Sequence, residues 1–181
     1  MQRVDCNLRP IEERDLATVL GWRNSERVRS YMYTDHVISP DEHHAWFTRL
    51  SGDPFPTVLI FEYRGTPVGL KNFTQIDRRN NRCYWGFYLG EADLPRGCGT
   101  AMGFLALEYI FERQQLRKLC AEAFAFNDGS VKYHTRLGFR QEGRYLQHVL
   151  KNGVYEDIVS FALFRDDWLA GKTILENTVF R

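Results

Sequence analysis

The chain has 181 residues, with 24 Lys+Arg against 23 Asp+Glu, a formal net charge of +1, and hydrophobic and charged fractions of 44% and 26%. That length suits one domain with a real core over residues 1–181, and near-neutrality gives no global case for nucleic acid or a membrane surface as partner. No apolar run is long enough to span a bilayer, MQRVDCNLRP at the N-terminus carries no apolar signal segment, and Cys6, Cys83, Cys98 and Cys120 form no C-x-x-C pair, so a cytoplasmic protein with reduced thiols and no metal site is expected.

Residues 4–9 read as a strand closed by Pro10, and Asp15, Leu16, Val19, Leu20 and Trp22 as a helix after it. Residues 28–33 suggest a second short helix, followed by the polar loop 34–36. Ser39 can cap a third helix, with Pro40 suited to its first position and Glu42 completing a capping box. Two strands, 57–63 and 68–76, form a hairpin around Arg64-Gly65-Thr66-Pro67. A polar turn with three arginines, Arg78, Arg79 and Arg82, leads into a strand at 84–89. After a helix running to about Gln115 come a strand at 119–126, a helix at 129–137 stopped by Gly138, and two long strands, 139–150 and 154–164, joined through Asn152-Gly153. Residues 166–171 suggest a final turn of helix; the tail beyond gives no reading.

The chemistry starts at the strand 84–89. A polar break follows it, then Arg96-Gly97-Cys98-Gly99-Thr100-Ala101, then helically spaced Met102, Leu105, Ala106, Tyr109 and Ile110. Strand, small-residue turn and helix make an anion site, because the helix start leaves N–H groups unpaired and glycine lets a phosphate approach closely. A Walker loop would need Lys-Ser/Thr, which is absent; the dinucleotide fingerprint would need glycine where Met102 stands. The run fits R-x-x-G-x-A, and downstream NDGSVKYHTRLGF supplies Asn127, Ser130, Leu137, Gly138 and Phe139 in the pattern N-x-x-A/S followed by L-G-F.

Together these motifs resemble the GNAT N-acetyltransferases, over residues 8–164. The resemblance implies an α/β (α+β) GNAT fold: a mixed, strongly twisted sheet of about seven strands flanked by helices, in which the strands 84–89 and 119–126 splay apart and the pantetheine arm of acetyl-CoA enters at the splay as an added strand would. It implies backbone amides of Arg96, Gly97, Cys98, Gly99, Thr100 and Ala101 on the pyrophosphate, Asn127 and Ser130 by the pantetheine arm, and a backbone N–H near Tyr88 and Leu89 as oxyanion donor. Many members place a general-acid Tyr on the helix after the Asn. The matching position here is His134, with Tyr133 beside it, so either could protonate the thiolate, or His134 could be a helix-surface residue. Glu122, an acid in an otherwise apolar strand, is the candidate base; a carboxylate paired for structure is the alternative.

In this fold the N-terminal third forms the acceptor pocket. Trp22-Arg23-Asn24, Met32, Ile38-Ser39 and His43-x-x-Trp46-Phe47 resemble the N-acetyltransferases of pseudaminic acid biosynthesis, which acetylate the 4-amino group of a UDP-linked amino-dideoxy sugar. Aromatic residues suit stacking on a base or sugar, and Arg23 and Arg29 suit a diphosphate. The residues expected at the acceptor are Trp22, Arg23, Asn24, Arg29 and His43, with Trp46 and Phe47 read as core anchors. The alternatives are a protein N-terminal or polyamine acetyltransferase, and a catalytically silent acyl-CoA sensor. A homodimer is one arrangement the sequence leaves open.

Overall fold

The strands form where apolar residues alternate or run together: β1 (Cys6–Pro10), β2 (Val58–Tyr63), β3 (Thr66–Asp77), β4 (Arg82–Leu89), β5 (Lys118–Phe124), β6 (Arg140–Lys151) and β7 (Val154–Phe164). In the computed structural model, which describes residues 1–34 and 36–180, they pair as one seven-stranded sheet in the order β1-β2-β3-β4-β5-β7-β6. Of the expected 34–36 loop, Asp35 lies outside the described residues, as does Arg181 at the end of the tail. Only β4 and β5 run parallel, and their pairing stops after Arg82↔Lys118, Cys83↔Leu119 and Tyr84↔Cys120. Beyond Tyr84 the two strands separate. This is the expected GNAT fold, splay included.

One face of the sheet is covered by α4 (Cys98–Glu108), which continues through a wider π turn at Tyr109–Arg113, and by α6 (Arg165–Val179). Phe104, Leu107, Ile110, Phe111 and Trp168 are buried there against Leu119 and Phe161 of the sheet. α4 is buried on almost every side, which explains its apolar composition. α5 (Asp128–Arg136) sits at the splay, its first turn capped by Asn127 Oδ1 accepting from Ser130 N at 3.0 Å.

The N-terminal helices α1 (Leu16–Asn24), α2 (Glu26–Arg29) and α3 (Pro40–Arg49) build the other wall. Arg9 fixes the wall to the sheet: its guanidinium donates to both oxygens of buried Asp15, at 2.6 and 2.8 Å, and to Glu62 at 2.7 Å. α3 starts with Ser39 Oγ accepting from Glu42 N at 3.2 Å and Pro40 in the first turn, as expected, but the return bond of the capping box is replaced by a pair between the Glu42 carboxylate and His36 at 3.0 Å. Two readings are corrected. The helix expected at 28–33 ends at Arg29; beyond it the chain continues in turns, with Tyr31 N bonded to Val28 O at 3.1 Å and Met32 N to Arg29 O at 3.0 Å, and the carbonyls of Arg29 and Met32 also accept from Lys151 Nζ at 3.1 and 2.7 Å. The final turn expected at 166–171 is a 15-residue helix that buries Trp168 and Val179.

Candidate functional site

The separation of β4 from β5 opens a cleft of about 860 Å³. It runs from the start of α4, past the free end of β4 and the start of α5, to the N-terminal helices. Four kinds of wall meet in it, and each does a different chemical job.

The first is the backbone of β4. β3 bonds to one side of this strand along Gly69↔Leu89 to Thr74↔Tyr84. Past Tyr84 its other side has lost β5. Gly90 N donates to Val68 O at 2.8 Å, toward β3, so the alternation of an extended strand turns the Leu89 N–H the other way, into the splay. That is the orientation an oxyanion donor at Leu89 requires. Gly86 matters on the acceptor side: an added Cβ would lie 2.5 Å from Asn72 Oδ1, so the missing side chain lets the Asn72 amide lie against β4.

The second is the start of α4. Gly97 takes φ +100 as N-cap, a conformation that L side chains rarely adopt, and no side chain caps the helix. Of the N–H groups at this end, Cys98 N donates to Pro95 O at 3.3 Å and Ala101 N to Gly97 O at 2.8 Å, which leaves those of Gly99 and Thr100 for an anion. Arg96 is exposed before the helix, and the contacts expected from the Cys98 and Ala101 amides are corrected by these bonds. Gly99 lines the cleft, with Leu89 and Tyr133 below it at 3.6 and 3.9 Å from a hypothetical Cβ. These features fit a pyrophosphate and a pantetheine arm. Asn127 and Ser130 also line the cleft; the Asn127 oxygen is engaged in the cap of α5, so a contact to the arm falls to its amide nitrogen.

The third is α5. His134 is 1% exposed, and both ring nitrogens are engaged. Trp85 Nε1–H donates to Nε2 at 3.0 Å, and Nδ1–H donates to the Ser130 carbonyl at 2.8 Å. Burial, then the neighbouring Lys71 amine, push its pKa down to about 3. A neutral imidazole that accepts at one nitrogen and is committed at the other has no proton for a thiolate. The acid role and the surface position considered for His134 are both corrected by this burial. Tyr133 points toward α4: a Cβ at Gly103 would lie 2.5 Å from its hydroxyl, which is buried without a hydrogen-bond partner, and burial raises its pKa far above the ordinary phenol value.

The fourth wall is the acceptor side. Glu122 lines the cleft and accepts a hydrogen bond from the Tyr33 hydroxyl at 2.9 Å. Arg23 also lines it; its Nη1 is buried without a partner, and burial lowers its pKa. His43 is 6% exposed, stacks on Trp46 at 4.9 Å, and keeps Nε2 buried without a partner. Three other expected residues stand outside the cleft. Trp22 is buried in the core and donates from Nε1 to Glu91 at 2.8 Å, and Gly90 is glycine because any side chain there would collide with its indole. Asn24 clamps Ile38, donating to its carbonyl at 2.8 Å and accepting from its N–H at 2.9 Å. Arg29 forms an ion pair with Glu26 at 2.6 Å. Arg27, Glu42 and Arg49 line the cleft and were not expected. Arg27 falls four residues after Arg23, across the extended Ser25, and Glu42 just before His43, which is the only signal the chain offered for them.

A parallel strand pair that splays at a helix N-terminus, with an inward N–H at the strand end, defines an enzyme that moves an acyl group from a coenzyme A thioester. The model of the acetyltransferase (GNAT) domain matches residues 6–140, and the chain belongs to this family. It is an acetyl-CoA-dependent N-acetyltransferase. Among known proteins it is 24% identical to the spermidine N(1)-acetyltransferase of Escherichia coli strain K12, over 94% of this chain and 95% of that one. It is 28% identical to the ribosomal protein uS5-alanine N-acetyltransferase of the same strain, over 58% and 55%. Among solved structures, the spermidine N-acetyltransferase from Vibrio cholerae in complex with CoA and spermine superposes with a TM-score of 0.86 at 20% identity, covering 92% of this chain and 99% of that chain.

Proposed function

We propose that the acceptor is a primary amine carried on an anionic molecule, of the nucleotide-linked amino-sugar class, and that it attacks the thioester directly while both substrates are bound. The observation that carries this is the Arg23 guanidinium: it faces the cleft with Nη1 buried and unpartnered, and Arg27 and Arg49 line the same cleft. A buried guanidinium without a partner is costly until a carboxylate or phosphate accepts from it. His43 stacked on Trp46 offers an aromatic face beside it.

In this reading the site brings the amine to the thioester carbon, which replaces a bimolecular encounter. Glu122 takes the amine proton, directly or through water. The Leu89 N–H stabilises the carbonyl oxygen as it gains charge. The N–C bond forms, the C–S bond breaks, and the coenzyme leaves as thiolate, to be protonated from solvent or from the proton held at Glu122.

The second reading is a polyamine acceptor. It is favoured by the similarity to spermidine acetyltransferases and by Glu42 and Glu122 in the cleft. Against it, a polycation would meet three arginines, with these two carboxylates facing it among the described residues. A protein N-terminus, as in the uS5-alanine relative, stands between the two.

The test is thiol release from acetyl-CoA with a UDP-4-amino-4,6-dideoxy sugar, spermidine and an N-terminal alanine peptide. Turnover with the anionic acceptor is expected, and Arg23→Gln should raise its KM by about tenfold or more. Turnover with spermidine alone, left intact or improved by Arg23→Gln, overturns the anionic reading.

A further inference from the structure

Residues 30–34 have no regular structure of their own, yet they are tied down on several sides. Tyr31 lies against Phe126, with ring centroids 6.2 Å apart, and Tyr33 stands edge-on to Phe124 at 5.2 Å. The Tyr33 hydroxyl donates to Glu122 Oε2 at 2.9 Å. From the far end of the domain, the buried Lys151, at the turn between β6 and β7, donates from Nζ to the carbonyls of Arg29 and Met32. These contacts join three parts of the chain distant in sequence. They fix one phenol against one carboxylate, on β5 just where β4 has left it.

We propose that Tyr33 is the positioning residue for Glu122, and that Lys151 pins the turn from which Tyr33 reaches it. The inference rests on the reading of Glu122 as base. A lone carboxylate on a strand has rotamer freedom across an open cleft, whereas one that accepts from a fixed hydroxyl has one oxygen oriented and the other left for the amine or a bridging water. The hydroxyl stays protonated through the working range, since burial and the facing carboxylate both raise the Tyr33 pKa. Lys151 suits the pin because an ammonium has three donors and can bridge the Arg29 and Met32 carbonyls at once.

Besides Tyr33, the titratable and charged groups on this side of the sheet include Tyr84 and Arg82 of β4, Glu142, Arg144 and Tyr145 of β6, and Lys118 and Cys120 on the strand itself. Each is retained in the variants below, so a change in profile is assigned to the Tyr33–Glu122 bond.

The experiment compares wild type, Tyr33→Phe, Lys151→Met, the double variant and Glu122→Gln, following kcat and both KM values against pH with the acceptor that turns over. Tyr33→Phe keeps the ring packing. It should lower kcat by about tenfold, the worth of one charge-assisted hydrogen bond, and move the acid limb of the profile toward higher pH, with KM for acetyl-CoA unchanged. Lys151→Met should act in the same direction, and the double variant should cost less than the product of the singles, because both act through one bond. Lys151→Arg should recover part of the loss. If Glu122→Gln is fully active with an unaltered profile, the base reading fails and this inference with it. If Glu122→Gln is inactive while Tyr33→Phe keeps the wild-type kcat and acid limb, the base stands and the positioning role is overturned. Multiplicative effects of Tyr33→Phe and Lys151→Met would overturn the part assigned to Lys151.

Discussion

Lys71 offers the sharpest quantitative test of the structure. It is 0% exposed, and its Nζ is buried without a hydrogen-bond partner, 2.8 Å from the centroid of the Trp85 ring and 4.5 Å from that of Phe87. Attraction to an aromatic face is worth about 2 kcal/mol for a desolvated cation, whereas stripping water from an unpaired ammonium costs several kcal/mol more. Desolvation wins, and the amine is held well below its ordinary 10.5. The folded state thus keeps Lys71 neutral at pH values where the unfolded chain protonates it. In that window the unfolded state binds more protons, so stability rises with pH, by about 1.4 kcal/mol per unit. Lys71→Met keeps the unbranched shape and removes both the proton and the unmet donor, so the variant should be the more stable protein. The assay is urea unfolding of both proteins from about pH 7 to about pH 9. The gap between them should narrow as pH rises through that range. The raised cysteine pKa values act on both curves alike and cancel in the difference. Parallel curves, or a less stable Met variant, would refute the argument: Lys71 would then be charged in the fold, or in reach of water.

The same reasoning applies to His134 at the other end of the scale. Its folded pKa of about 3 lies below the unfolded value of 6.5, so wild type should lose stability as pH falls through that window, and His134→Phe should lose less over it. A pH–stability slope unchanged in the Phe variant would mean that the imidazole is not held neutral. At the start of α4, Gly99→Val should raise the KM for acetyl-CoA by at least about tenfold while leaving Tm near wild type, since a Cβ meets only ordinary contacts at 3.6 and 3.9 Å but the branch intrudes on the anion site. Unchanged acetyl-CoA kinetics would move the pyrophosphate elsewhere.

What could be read from the residues was local. Ser39 and Pro40 start a helix wherever they stand ahead of one, and Asn152-Gly153 closes a hairpin because both residues accept positive φ, here 49° and 81°. The splay was legible only through the two motifs that flank it. What could not be read depended on partners far along the chain. Nothing near Val28 says that the chain will continue in turns after Arg29, with Lys151 at the carbonyls of Arg29 and Met32, so the helical spacing of 28–33 was followed past its end. Trp22 and Asn24 have the chemistry of ligand contacts, but Glu91 and Ile38 claim their polar atoms. Arg23, between them on the same helix, has no such claimant for Nη1, and only the fold distinguishes the three.

The position expected to hold the general acid makes the same point with a mechanistic consequence. A histidine there is chemically able to protonate a thiolate, and its residue type was the whole of the sequence argument. The neighbour that decides the matter is Trp85, whose indole N–H occupies Nε2 and fixes the proton on the other nitrogen, where Ser130 takes it. Tyr133, the remaining candidate on α5, has its hydroxyl turned toward Gly103. Both α5 residues line the cleft, with the His134 nitrogens engaged, and the same cleft holds the pair in which Tyr33 meets Glu122. A proton taken from the amine there has a short way back to the departing sulfur. On that account, a single carboxylate can serve both half-steps: accepting as the N–C bond forms and donating after the C–S bond breaks. Removing Glu122 should then lower kcat and abolish the acid limb of the pH profile, while Tyr133→Phe leaves the alkaline side as it was; an alkaline limb lost in Tyr133→Phe would mean a separate acid.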